Sequence, residues 1–80
     1  STVEYELIFH EPRIGLHFQM TGAGRLVVKG RQGLADPIAT LPAVGDALVS
    51  FNGVSVSGRS YAEVATALRA AGRPLLLRFR

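Results

Sequence analysis

The pair Asn52-Gly53, set between two short apolar runs, constrains this chain more than any other feature. A two-residue type I′ turn needs positive φ at both central positions, and asparagine followed by glycine meets that need at little steric cost. The pair therefore predicts a hairpin joining a strand over Ala47 to Phe51 to a return strand over Val54 to Val56. Ser60-Tyr61-Ala62-Glu63 follows and has the form of a capping box, in which serine and glutamate each satisfy an amide at the start of a helix. The helix it opens runs through Val64, Ala65, Ala67 and Leu68 to Ala71. Gly72 suits the left-handed position beyond its end, and Pro74 prevents it from resuming.

Upstream, Val3, Tyr5, Leu7 and Phe9 alternate with Glu4, Glu6, Ile8 and His10, the period of a half-buried strand. Glu11-Pro12-Arg13 ends it, since proline cannot donate to a ladder. Leu16 to Met20 form a second strand, with Leu16, Phe18 and Met20 on one face and His17 and Gln19 on the other. Thr21-Gly22-Ala23-Gly24 is a turn, Arg25 to Lys29 a third strand, and Gly30 to Gly33 a loop. Asp36-Pro37 reads as the N-cap and first position of a short helix that Pro42 stops. Leu75 to Arg80 is the last strand. The expected fold class is α+β, a small, partly open antiparallel barrel or sandwich of five to six strands capped by two α-helices.

Eighty residues make one domain, near the lower end of sizes that fold without staples. With no cysteine there is neither a disulfide framework nor a thiolate metal site, which fits a cytoplasmic protein. Apolar runs such as Leu75-Leu76-Leu77 are far too short to span a bilayer, and no signal-peptide pattern opens the chain. Both ends lie close to predicted strands, as in a domain taken from a longer protein. The net charge of +3 raises nucleic acid and anionic lipid as partners. Glu4 and Glu6 would face Arg78 and Arg80 if the first and last strands pair antiparallel. The remaining cations are scattered, save a cluster at Arg25, Lys29 and Arg31 that suggests a lipid surface as an alternative. No aromatic interleaving suggests base stacking, so no nucleic-acid partner is expected.

Catalytic patterns are incomplete. Gly53-Val54-Ser55-Val56-Ser57 lacks the last glycine of a nucleophile elbow and sits in a hairpin. Gly22-Ala23-Gly24-Arg25-Leu26-Val27 lacks the third glycine of a dinucleotide fingerprint and precedes a strand. His10 and His17 lack the partners of a metal or triad site. No enzyme activity, cofactor or metal is expected.

Ile14-Gly15-Leu16-His17-Phe18 is more informative. A glycine turn that releases an alternating strand leaves consecutive amides pointing into one concavity, a nest for an anion such as a carboxylate. Together with Gly45-Asp46, Asn52-Gly53 and the capped helix, this turn resembles that of a PDZ domain with the eukaryotic strand order, from about Val3 to Phe79. The resemblance implies a module that binds the C-terminal tails of other proteins. Gly15-Leu16-His17-Phe18 would be the carboxylate loop, with His17 in place of the family's second glycine but keeping its amide. The tail would add as a strand between Leu16–Met20, which includes Gln19, and the helix Ser60–Ala71. Leu16, Phe18 and Leu68 would enclose an apolar last side chain, with Ala65 one turn earlier. Arg13 would reach the carboxylate through water. Tyr61, at the helix start, would select the third-from-last residue, where tyrosine accompanies an acidic ligand.

The implied protein is a monomeric scaffold or adaptor module, cytoplasmic and brought to membrane or cytoskeleton through its partners. The alternatives are an assembly domain whose groove is unused or internally occupied, the lipid surface, and a regulatory domain beside an enzyme.

Overall fold

The last strand of the chain is an inner strand of its larger sheet. β6 (Leu75–Phe79) buries Leu75, Leu77 and Phe79 completely on one face. It pairs antiparallel with β1 (Tyr5–Phe9) on one side and with β4 (Leu48–Phe51) on the other. β5 (Val54–Ser55) adds beyond β4, so the order is β1-β6-β4-β5. β2 (Leu16–Met20) and β3 (Leu26–Arg31) form a separate antiparallel pair, and α1 covers Tyr61–Ala70. These elements belong to a computed structural model, which describes residues 3–10, 15–31 and 42–80.

This arrangement corrects the expected α+β barrel capped by two helices. Among the described residues the fold is mostly β, with one helix and two distinct antiparallel sheets. The physical reason lies on the outer edge of β3. Gly45 N–H donates to the Val28 carbonyl and Val28 N–H to the Asp46 carbonyl, each at 2.8 Å. Those groups are thereby satisfied by the turn ahead of β4 rather than by β4 itself. Strand pairing between the sheets is reduced to an isolated bridge between Val27 and Ala47, although Leu26 and Val28 pack into the same core as β4 and β6. The short helix expected at Asp36-Pro37 lies outside the described residues.

The hairpin forms as its turn chemistry predicts, with φ of 48° at Asn52 and 80° at Gly53. Asn52 does more than turn the chain. Its N–H donates to the Leu76 carbonyl at 2.7 Å, and its Oδ1 accepts the Leu76 N–H at 2.9 Å. The hairpin is thus stapled to β6.

β1 follows the predicted alternation: Glu4, Glu6, Ile8 and His10 are exposed while Phe9 is buried. Glu6 stands opposite Arg78, whose guanidinium lies 3.4 Å from Glu4 and 3.5 Å from Glu6. Exposed pairs of this kind add little stability. On the inner face Tyr5 stacks on Phe79, with ring centroids 5.5 Å apart. The core gathers Phe9, Leu26, Val28, Leu48, Phe51, Val64, Leu68 and the three buried β6 residues.

Candidate functional site

Helix α1 begins where its local chemistry places it. Glu63 N–H donates to Ser60 Oγ at 3.2 Å, and Ser60 N–H donates to Glu63 Oε1 at 3.3 Å, a complete capping box. Val64 and Leu68, one turn apart and both buried, seat the helix on the core. The exit differs from expectation. Ala71 takes an extended conformation with φ −68° and ψ 137°, and Gly72 does not adopt positive φ. The chain therefore leaves through an extended cap instead of a left-handed glycine.

Gly15 has φ of 70°, a conformation glycine adopts without strain, and it turns the chain into β2. Along β2, Leu16, Phe18 and Met20 are half-buried while His17 and Gln19 face outward. Between His17 and Phe18 the register with β3 slips from Gly30 to Val28, leaving Lys29 as the extra residue of a bulge. No strand of the described residues pairs with the other edge of β2.

A cleft of about 160 Å³ lies between β2 and α1. Leu16 and Phe18 line it from the strand, and Leu26 forms part of its wall from β3. Tyr61, Ala65 and Leu68 line it from the helix, at the i, i+4, i+7 spacing of a single stripe. Tyr61 is 48% exposed, so its phenol is open to a ligand.

Five residues singled out in the sequence thus meet in one place: Leu16, Phe18, Tyr61, Ala65 and Leu68. Met20 does not join them and lines a different cleft with Arg25. His17 and Gln19 lie on the outward face of β2. Arg13 lies outside the described residues. Three lining residues were not assigned to the groove by sequence reasoning: Leu26, Val64 and the charged Arg69. The i+4 spacing of Arg69 from Ala65 is the signal that would have found it, and it is the one charged side chain in the lining.

Such a cleft offers apolar contact in the middle, a phenol donor at one end of the helix and a guanidinium near the other. The strand edge alongside offers backbone groups to an added chain. Among the described residues no three His, Cys, Asp or Glu side chains lie together as metal ligands would. No helix there is long and apolar enough to cross a membrane. No protein-family model matches the chain, and no curated protein matches it.

Proposed function

We propose that this chain is a non-catalytic, PDZ-like interaction module that captures the C-terminal tail of a partner protein. The observation that carries the proposal is the edge of β2, unpaired by any described strand, lying beside a cleft walled by Leu16, Phe18, Ala65 and Leu68. A tail laid antiparallel along β2 gains main-chain hydrogen bonds, and its alternate side chains turn toward α1. The last side chain would enter between Leu16, Phe18 and Leu68, with the amides of Leu16, His17 and Phe18 receiving the carboxylate. The size of the cleft supports a single aliphatic side chain as its occupant. Its volume of about 160 Å³ is below the roughly 300 Å³ at which small-molecule pockets begin.

Tyr61 takes the position at the helix start that faces the third-from-last ligand residue, and an acidic residue there suits its phenol. Titration of labelled protein with peptides ending in valine, leucine or isoleucine tests the proposal. Amide shifts should move along Leu16–Met20 and Tyr61–Leu68. Saturable binding that moves only residues outside these two elements would contradict it.

A further inference from the structure

A second and larger cleft, of about 310 Å³, shares Leu26 and Val64 as a wall with the first. Three arginines line it, and they come from separate places in the chain. Arg25 lies just ahead of β3, Arg59 just ahead of the Ser60 cap, and Arg80 just after β6. Ser55 and Ser57 add hydroxyls, while no aspartate, glutamate or histidine lines the cleft. Among the described residues the ion pairs involve Arg78 alone, and no described carboxylate pairs with these three cations. Arg59 is oriented through Nε, which donates to the Ser55 carbonyl at 3.1 Å.

We propose that this cleft binds a small phosphate-bearing anion. Like charges gathered in a concavity repel one another, and a multivalent anion relieves that repulsion. The guanidinium fork matches phosphate oxygens two at a time, and serine hydroxyls donate to those left over. The volume lies at the small-molecule end of the pocket range, unlike that of the cleft beside β2. The site gathers Arg25, Arg59 and Arg80 from separate parts of the chain and shares only Arg25 with the sequence cluster of Arg25, Lys29 and Arg31. It also stands independently of the tail-binding proposal.

Pyrophosphate is the probe, titrated by calorimetry into the chain and into Arg59→Gln, Arg80→Gln and Lys29→Gln, with folding checked by circular dichroism. Arg25→Gln replaces either arginine variant that fails to fold. Lys29 is exposed but does not line the cleft, so its variant controls for general charge. Saturable binding should weaken about tenfold in each arginine variant and less than about twofold in Lys29→Gln. Absence of saturable binding, or an equal loss in Lys29→Gln, would overturn the site. Association with anionic phospholipid vesicles but not with pyrophosphate would overturn it as well, by assigning the charge to a membrane surface.

Discussion

The Tyr5 hydroxyl donates to Asp46 Oδ2 across a separation of 41 residues, and the same carboxylate oxygen accepts the Ala43 N–H at 3.2 Å. Tyr5 also stacks on Phe79, so a single side chain ties β1 to the turn ahead of β4 and to β6. Gly45-Asp46 therefore has a structural task of its own. Gly45, at φ 99°, shapes the turn, and Asp46 anchors it.

Burial above all, then the hydrogen bond to Asp46 and the negative charge of that carboxylate, push the Tyr5 phenol well above its ordinary range. In the unfolded chain the phenol ionises near pH 10. Above that pH the unfolded state releases a proton that the folded state keeps. The contribution of Tyr5 to stability is thus full below about pH 10 and falls as the pH climbs beyond it. Urea midpoints measured from about pH 8 to about pH 11 should fall more steeply for the wild type than for Tyr5→Phe. Parallel curves would show that Tyr5 does not titrate differently in the two states. At neutral pH Tyr5→Phe should cost about 1.5 kcal/mol, the low end for a bond to a charged partner, because the site is only half-buried.

Ser60→Ala removes one half of the capping box and should cost about 1 kcal/mol. Ser60→Asp keeps an acceptor and should restore most of it. A denaturation midpoint for Ser60→Ala equal to the wild type would show that the cap contributes nothing. Affinity for a C-terminal peptide should fall with the midpoint, because the same helix end holds Tyr61 beside the cleft.

Leu68 belongs both to the core and to the cleft lining, so Leu68→Ala should destabilise by about 2–5 kcal/mol as well as weaken peptides with aliphatic ends. Ala65→Leu separates the two roles, since Ala65 is only half-buried and lines the cleft. It should block peptide entry while leaving the thermal midpoint close to the wild type. Peptide affinity unchanged in a folded Ala65→Leu protein would remove this cleft from the proposed groove.

Tyr61→Phe keeps the ring and deletes the hydroxyl. Peptides with an acidic third-from-last residue should lose about 1.5–3 kcal/mol against it, while matched alanine peptides should not change. An unaltered ranking of acidic, hydroxyl and apolar peptides would mean that Tyr61 acts by packing alone.

Local chemistry was legible in the residues themselves. The alternation of Leu16 to Met20, the Asn52-Gly53 turn and the Ser60–Glu63 box each depend on neighbours a few positions away, and each forms as predicted. Long-range competition was not legible. Nothing near Val28 signals that its edge bonds go to Gly45 and Asp46, and that choice splits the expected barrel into two sheets. The same holds for the reciprocal bonds between Asn52 and Leu76, which join segments distant in the chain. Gly72 failed as a left-handed cap because Ala71 already leaves the helix in an extended conformation. In the cleft, the apolar residues followed from strand and helix periodicity. Arg69 was not singled out in the sequence, although its i+4 spacing from Ala65 sets it on the same helix face.

The central claim is that the Gly15 turn and β2 receive a free C-terminal carboxylate. Calorimetric titration of one valine-ended peptide, prepared as the free acid and as the amide, tests it most directly. The free acid should bind on the order of micromolar, since a short flexible peptide loses entropy on docking. The amide should bind at least about tenfold more weakly, a difference of about 1.4 kcal/mol. Equal affinity of the acid and the amide would contradict the account.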